Sequence, residues 1–243
     1  MRSEIANMPG AEVGDCMLVI MAKAVRPGAV KTRLGACLPS DAITGLYRCL
    51  LEDTMALARS LDGIASAIMS PSADVEELRR MADGSMQVVA QTGVGLAAGL
   101  ESVFEHFCAE GWRRIVAFNS DSPHLPVSVV RQAFDALGSC DLVVGPTHDG
   151  GYYLVGAKAP HPGLFAASAM GTASALDILL ARARKLQLSV RSTDEFYDID
   201  VPADLSRLEE DLRVAPERAP RTAAWLTEWA RTRPRQVSSG PNP

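Results

Sequence analysis

Short apolar runs alternate with longer amphipathic segments along most of the chain. The first apolar run, 17–25, contains valine and isoleucine and lacks polar alternation, which predicts a strand buried on both faces. The segment 40–60 instead places its apolar residues on one helical face, as expected of a helix that covers a sheet. The alternation continues to residue 212. It predicts an α/β fold of the Rossmann type, with a mostly parallel central sheet and helices on both faces.

The remaining elements are predicted from the same two periodicities and from the turn residues between them. Further strands are expected at 63–69, 86–90, 114–119, 142–145, 152–157 and 188–191. Further helices are expected at 73–81, 96–110, from 126 onwards, and at 172–186 and 202–212.

The ends of the chain differ from this central part. Residues 16–213 are predicted to form the main domain, preceded by a disordered extension, 1–15, that has no apolar signal-peptide core. Residues 214–235 are rich in arginine, and their two tryptophans, Trp225 and Trp229, share one helical face. This segment predicts a helix that docks on the domain; the alternative is a contact with a partner or a membrane surface, and an oligomer through it is left open. Residues 236–243 are predicted to be disordered.

Composition and charge exclude several classes of protein. Hydrophobic residues make up 47% of the 243 residues and charged residues 22%, which is ordinary for a globular protein. The net charge of −5 argues against broad nucleic-acid binding. Because no apolar run is long enough to cross a bilayer, no membrane contact is expected. The five scattered cysteines lack metal-binding spacing and predict reduced thiols in a cytoplasmic protein.

A cationic loop follows the first predicted strand. It contains Arg26, Lys31 and Arg33 and no acidic residue. Pro27 and Gly28 allow a tight turn whose backbone N–H groups can face a ligand. Lysine supplies a point charge and arginine a planar fork, both suited to phosphate oxygens. The loop therefore predicts phosphate binding, and the alternative is a solvated basic loop paired with surface acids.

Three further polar turns follow later strands. Asp121 lies after the predicted strand 114–119, where open α/β sheets bind ligands, and its carboxylate suits Mg²⁺ or Mn²⁺. Asp200 lies just before a helix that begins with proline and is a candidate second metal ligand. The alternatives are an Asx turn for Asp121 and a helix cap, by Asp198 or Asp200, for the later turn.

The last polar turn contains an aspartate followed by two glycines. Asp149 could accept hydrogen bonds from hydroxyl groups, while Gly150 and Gly151, next to Tyr152, would let the backbone approach a substrate. An ordinary Asp-Gly hairpin turn is the alternative. His124 and His148 lie in the same two loops as Asp121 and Asp149. We expect these histidines to be hydrogen-bond partners in their loops rather than bases.

Four motifs together carry a resemblance to a known family. PGAVKTRL, SDSPHLP, GPTHDGGYYLVG and YDIDVPADL resemble the signatures of small bacterial GT-A-like transferases of the nucleotide-diphospho-sugar transferase superfamily. Some of these are grouped with arsenosugar-biosynthesis glycosyltransferases. The motifs are also similar to those of 2-phospholactate and molybdenum-cofactor guanylyltransferases. The resemblance extends over about 18–208.

The resemblance implies a GT-A fold that binds a nucleotide across the first loop together with Mg²⁺ or Mn²⁺. Nucleotide and phosphate binding would fall to Arg26, Gly28, Lys31 and Arg33. Asp121 and Asp200 would lie near the metal, and Asp121 and Asp149 would be the catalytic residues. Gly150, Gly151 and Tyr152 would contact the transferred group or the acceptor.

The leading functional expectation is a metal-dependent glycosyltransferase that moves a sugar from a nucleotide-sugar to a small-molecule acceptor. The alternative is a nucleotidyltransferase that joins a nucleoside triphosphate to a phosphorylated small molecule and releases pyrophosphate. A non-catalytic nucleotide-binding protein is the third reading. It is motivated by departures from the family pattern at 96–100, where LGxRM is common, and at 170–172, where Trp-Ser-Thr is common. Both departures fall where a sugar or acceptor would bind.

Overall fold

The computed structural model describes residues 14–232 and contains a seven-stranded sheet in the order β3-β2-β1-β4-β6-β5-β7. Every neighbouring pair is parallel except those involving β6, which runs antiparallel to β4 and β5. The predicted α/β class with a mostly parallel sheet is therefore confirmed. The strands are β1 Cys16–Met21, β2 Ala65–Ser70, β3 Gln87–Ala90, β4 Arg114–Asn119, β5 Leu142–Pro146, β6 Tyr152–Ala157 and β7 Val190–Ser192.

Seven α-helices accompany these strands in the described part of the chain. They are α1 Ser40–Arg59, α2 Val75–Ala82, α3 Leu96–Ala109, α4 Val127–Leu137, α5 Ala175–Lys185, α6 Pro202–Val214 and α7 Pro220–Thr232. None of these helices is both long enough and apolar enough to cross a membrane.

The apolar residues of each central strand divide between two cores because successive side chains point to opposite faces of the sheet. In β1, Leu18 and Ile20 belong to one cluster, with residues of α1, α2 and α4. Met17 and Val19 belong to the other, with residues of α3 and α5. Helices on both faces explain why β1 contains no polar alternation.

The first strand is shorter than predicted, since it ends at Met21 rather than at residue 25. Ala24 and Val25 remain buried, but their N–H groups bond to the carboxylates of Asp74 and Glu77 instead of to a neighbouring strand. The prediction was wrong here because burial persists after the sheet ladder stops. The chain is thereby turned into the cationic loop.

The C-terminal elements form a third apolar cluster outside the sheet. Leu46 and Leu50 of α1 meet Leu208 of α6 and Leu226 of α7 there, and Leu34 of the cationic loop joins them. In the described part of the segment predicted as one docking helix, 214–235, the chain forms the end of α6, a short 3₁₀ turn and α7. Within this cluster α7 packs on α1.

Parts of the predicted terminal segments lie outside the described residues. This applies to 1–13 of the N-terminal extension, to 233–235 and to the tail 236–243. Asp15, at the end of the predicted extension, is described and forms an ion pair with Arg114 at 2.6 Å.

Candidate active site

A cleft of about 470 Å³ opens at the carboxyl ends of β1 and β4. The chain leaves β1 toward α1 and β2 on one side, while β4 lies on the other side of β1. Ligands bind in open α/β sheets where neighbouring connections diverge in this way. The cleft is lined by Lys31, Arg33, Asp121, Asp149, Gly151, Tyr152 and Asp200 of the predicted site, together with Asp198 and several other residues.

Lys31 lies against the acidic side of this cleft, and its side chain is only 6% exposed. Its Nζ donates hydrogen bonds to Asp121 Oδ2 and, at 2.7 Å, to Asp200 Oδ1. The backbone of Lys31 is left-handed, with φ 48° and ψ 38°. Its carbonyl accepts a bond from the N–H of Leu34, which is fully buried. This turn directs the lysine back toward the carboxylates.

Asp198 and Asp200 reach the cleft because the chain after β7 continues alongside the end of β5. Thr193 N–H bonds to the carbonyl of Val144, and Phe196 N–H bonds to that of Pro146. Asp121 follows β4 directly and meets this segment through Ser122, whose hydroxyl donates to the Tyr197 carbonyl at 3.2 Å. Two separate connections are thus joined at the acidic cluster.

Asp121, Asp198 and Asp200 each offer a carboxylate oxygen, and these oxygens lie within 4.8 Å of one another. Oxygen donors at this spacing fit a hard divalent cation such as Mg²⁺ or Mn²⁺. From the sequence, Asp198 was predicted only as a possible cap of the following helix. Its spacing of two from Asp200 could have identified it, because alternate residues of an extended segment share a face.

The protonation of the cluster follows from burial and from the balance of charges. Burial raises the pKa of Asp198 to about 7, and the nearby Asp121 carboxylate adds to the shift. Burial also acts to raise the pKa of Asp200, but the Lys31 ammonium outweighs it and holds that pKa below its usual range. For Lys31, burial lowers the pKa, whereas Asp121 and Asp200 raise it above the ordinary value. Lys31 therefore remains a cation.

The other cations of the first loop have different positions. Arg33 is 59% exposed, and its guanidinium reaches Asp200 at 3.5 Å. Arg26 does not line the cleft; it is paired with Asp74 at 2.8 Å and with Glu77 at 3.2 Å. The structure therefore does not bring Arg26 to the predicted phosphate site. Gly28 provides the turn of the loop, with φ 74°, and does not line the cleft itself.

The opposite wall of the cleft contains Asp149 and the glycines after it. Asp149 Oδ1 accepts bonds from Thr147 Oγ1 at 2.5 Å and from Gly151 N at 3.1 Å. Gly150 has φ 85°, and a Cβ there would clash with the Ala173 carbonyl oxygen. Gly150 thus serves close packing, whereas Gly151 and Tyr152 line the cleft. Tyr152 contacts Met170, its hydroxyl lying 3.6 Å from the sulfur.

Tyr47 lies on the apolar face of α1, the helix predicted at 40–60, where the helical pattern predicts only packing. Its hydroxyl instead lines the cleft, where it bonds to Ser120 Oγ at 3.1 Å and accepts from Lys23 N–H at 3.2 Å. It thereby links the loop after β1 to the loop that carries Asp121. A tyrosine on the buried face of a helix carries no local signal of this function, because only the tertiary fold places its hydroxyl.

The two loop histidines behave differently. His148 Nδ1 lies 3.2 Å from Glu195, in agreement with the expected loop contact. His124 is 1% exposed, and neither ring nitrogen has a hydrogen-bond partner among the described residues. The prediction for His124 was wrong, since its ring packs against Phe196 and Tyr197 instead. Burial depresses the pKa of His124 to about 3.

Comparisons with known proteins agree with this fold. Residues 54–172 match the family described as an uncharacterized protein conserved in bacteria (DUF2064). The 2-phospho-L-lactate guanylyltransferase of Methanothermobacter thermautotrophicus is 28% identical over 187 residues, which cover 73% of this chain and 78% of that relative.

Solved structures extend the likeness to nearly the whole described chain. A protein of Desulfovibrio desulfuricans G20, described as a nucleotide-diphospho-sugar transferase, superposes with a TM-score of 0.82 and 26% identity, over 90% of this chain and 96% of that one. A nucleotidyl transferase from Methanothermobacter shares the fold, with a TM-score of 0.53 and 16% identity over 83% and 100% of the two chains. In fold and in its four motifs, the chain is similar to GT-A-like transferases of the nucleotide-diphospho-sugar transferase superfamily.

Proposed function

We propose that this protein is a metal-dependent transferase that binds a nucleotide-sugar in the cleft and moves the sugar to a small-molecule acceptor. The observation that carries the proposal is the convergence of Lys31 with Asp121, Asp198 and Asp200 at one edge of the sheet. These residues come from connections far apart in the chain, yet they form one cluster of a cation and three acids. A cluster of this kind suits a phosphate-bound metal ion.

Asp121, Asp198 and Asp200 would hold Mg²⁺ or Mn²⁺. When bound, the cation would neutralise negative charge on the phosphate oxygens of the departing nucleoside diphosphate. Lys31 and Arg33 would bind the same diphosphate, the first as a compact charge and the second as a fork with its guanidinium open to the cleft. Charge stabilisation that is already in place before reaction is a major source of enzymatic acceleration.

Asp149 would orient the acceptor on the opposite wall. The described hydrogen bonds to its carboxylate all involve Oδ1, which leaves Oδ2 as an acceptor for a substrate hydroxyl. A carboxylate in this position would accept the hydroxyl proton as the new glycosidic bond forms. Thr147 and the Gly151 N–H would hold the carboxylate in place, and Tyr152 and Met170 would supply an apolar surface for the acceptor or the sugar.

The distribution of charge in the cleft supports transfer to an acceptor without phosphate. The described lining residues include three cations, Lys23, Lys31 and Arg33, and all of them come from the chain between β1 and α1. The wall between Thr147 and Ala175 contributes no lysine or arginine to the described lining. A phosphorylated acceptor on that wall would find a carboxylate, Asp149, rather than a cation.

Nucleotidyl transfer is a second candidate, favoured by the similarity of the chain to a 2-phospho-L-lactate guanylyltransferase at 28% identity. In that reaction a nucleoside triphosphate would react with a phosphorylated small molecule and release pyrophosphate. The Lys31 and Arg33 side of the cleft would then bind the triphosphate. The two candidates therefore share the donor side of the site and differ in the chemistry of the acceptor.

The released product distinguishes the candidates. We would incubate the protein with panels of nucleotide-sugars and nucleoside triphosphates, with hydroxyl-bearing and phosphorylated acceptors, and with or without Mn²⁺. Release of a nucleoside diphosphate supports glycosyl transfer, and release of pyrophosphate supports nucleotidyl transfer. Asp121→Asn should abolish either activity. Asp62→Asn, an exposed acid outside the described cleft lining, is the matched control and should retain it. Nucleotide binding without any product would reject both.

A further inference from the structure

Lys31 and a divalent cation compete for the same carboxylate oxygens. Nζ of Lys31 is hydrogen-bonded to Asp121 Oδ2 and to Asp200 Oδ1, and both residues belong to the cluster that fits a metal. A magnesium ion would bind such oxygens at about 2.1 Å. An ammonium group bonded to two of the three carboxylates fills the space in which that ion would lie. The two cations therefore exclude each other at this position.

We propose that Lys31 exchanges with the metal. Before the metal binds, the Lys31 ammonium neutralises the acidic cluster; when the metal binds, the ammonium is displaced into the cleft and onto the phosphates of the nucleotide. This inference rests on the proposed function, because it assigns a second role to a residue of the same site. It makes one lysine both the internal counter-ion of the metal site and a ligand of the donor.

The local structure permits this movement. The backbone of Lys31 is anchored through the Leu34 N–H bond and the buried Leu34 side chain, so only the lysine side chain has to rotate. Lys31 already lines the cleft, which gives the displaced ammonium space to enter. A lysine suits this exchange because it is a compact charge on a flexible four-carbon stem, whereas an arginine fork would hold a carboxylate in a fixed planar geometry.

The charges supply the driving force. The Lys31 ammonium is bonded to two of the three carboxyl groups, whereas a divalent ion could be coordinated by all three. The metal must nevertheless displace a buried cation, which weakens its binding to the nucleotide-free protein. Phosphates that attract the displaced Lys31 would recover part of this loss. Metal and nucleotide should therefore strengthen each other's binding, and such coupling is reciprocal.

The first test measures Mn²⁺ binding to nucleotide-free protein by electron paramagnetic resonance of the free ion. Lys31→Met keeps an unbranched side chain that is one atom shorter and removes the competing cation, so it should bind Mn²⁺ roughly tenfold or more tightly than the wild type. Lys23→Met is the matched control, because Lys23 lines the same cleft but forms no ion pair among the described residues. Its Mn²⁺ affinity should change by no more than about threefold.

The same variant should have the opposite effect on nucleotide affinity. With saturating Mn²⁺, Lys31→Met should bind a nucleoside diphosphate more weakly than the wild type, because the displaced ammonium is no longer available to the phosphates. Tighter metal binding together with weaker diphosphate binding is specific to exchange. A lysine with a purely structural role would not produce this pair of changes.

A measurement on the wild-type protein covers the case in which Lys31→Met fails to fold. Lys31 is 6% exposed and its ammonium is bonded to two carboxylates, so the neutral amine that reacts in reductive methylation should form rarely and the reaction should be slow. Addition of Mg²⁺ should accelerate the methylation of Lys31 and leave that of Lys23 unchanged, as measured by mass spectrometry.

Two outcomes would overturn the exchange. If the wild type binds Mn²⁺ but Lys31→Met binds it no more tightly than Lys23→Met, or if Mg²⁺ leaves the methylation of Lys31 unchanged, the exchange is wrong while the metal site and the proposed function stand. If none of the three proteins binds Mn²⁺, the exchange and the metal-dependent function both fail.

Discussion

The Asp204 carboxylate holds the backbone that carries Asp200, with its Oδ2 lying 3.0 Å from the Asp200 nitrogen. The same oxygen accepts a second bond from Val201 N–H at 2.8 Å. Asp204 thus caps the first turn of α6 and fixes the segment that presents Asp200 to the cleft. The first turn of α6 and the backbone position of Asp200 therefore depend on the same carboxylate.

Removal of this cap should therefore affect both stability and metal binding. Asp204→Ala should lower the free energy of unfolding by about 1 kcal/mol and weaken Mn²⁺ binding. Asp204→Asn also removes the charge but keeps an oxygen that can accept both bonds, so it should restore most of each property. Urea unfolding and Mn²⁺ titration measure the two effects. Metal binding that is weakened equally in the two variants would show that Asp204 acts only through its charge, and unchanged metal binding in both would show that the cap does not support the site.

Asp53 connects the C-terminal helix to the domain. It is buried in α1, and its carboxylate accepts bonds from the N–H groups of Arg221 and Thr222 and from the Thr222 hydroxyl. A residue of one helix thus caps the first turn of another. Asp53→Ala should lower the free energy of unfolding by about 2–4 kcal/mol, because these donors lose their partner inside the protein.

Glu52 provides the control for this prediction. It also pairs with Arg221, at 3.3 Å, but its side chain is 34% exposed. Glu52→Ala should cost less than about 1 kcal/mol. Urea unfolding of the two variants tests the difference, and similar losses would indicate that burial of Asp53 is not what stabilises α7.

The stability of the protein should fall in acid partly because of His124. Its pKa is about 3 in the folded protein and about 6.5 in an unfolded chain. Between these values the unfolded chain binds a proton that the folded protein does not, so falling pH favours unfolding by up to about 1.4 kcal/mol per pH unit. His124→Phe keeps the ring against Phe196 and Tyr197 but cannot titrate.

Urea unfolding of the wild type and of His124→Phe, at about pH 7 and about pH 5, tests this prediction. The variant should lose less stability than the wild type over this interval, because the carboxylates that contribute to acid unfolding are common to both proteins. Parallel losses would mean that His124 has a partner that lets it titrate normally in the folded state.

Two constraints favour glycine at position 150, namely its positive φ and the lack of space for a Cβ. A matched substitution at Gly163 separates them. The φ of Gly150 is 85°, and an added Cβ would clash with the Ala173 carbonyl, whereas Gly163 has φ 80° with no atom within 4 Å of an added Cβ. Gly163→Ala should lower the free energy of unfolding by about 1–2 kcal/mol, from backbone strain alone. Gly150→Ala should cost clearly more in thermal or urea unfolding. Equal losses would show that Ala173 moves away freely.

Much of the fold and part of the site could be predicted from the sequence, for physical reasons that differ between residues. Continuous apolar runs identified the buried strands, and Asp121 was found because it follows one of them directly. Arg26 was misassigned because its partners, Asp74 and Glu77, lie about 50 residues further along the chain. Local pattern cannot reveal such a pairing. Tyr47 and His124 were misread for the same reason, since tertiary packing decides where their polar atoms lie.

Calorimetric titration of nucleoside diphosphates, with and without Mn²⁺, tests the central claim most directly, which is that Lys31 and the three aspartates form a metal and phosphate site. The account predicts that Mn²⁺ tightens binding of a diphosphate by roughly tenfold or more, and that Asp198→Asn loses most of this gain while Asp62→Asn retains it. Diphosphate binding that is equally tight without Mn²⁺, or unchanged in Asp198→Asn, would contradict the account.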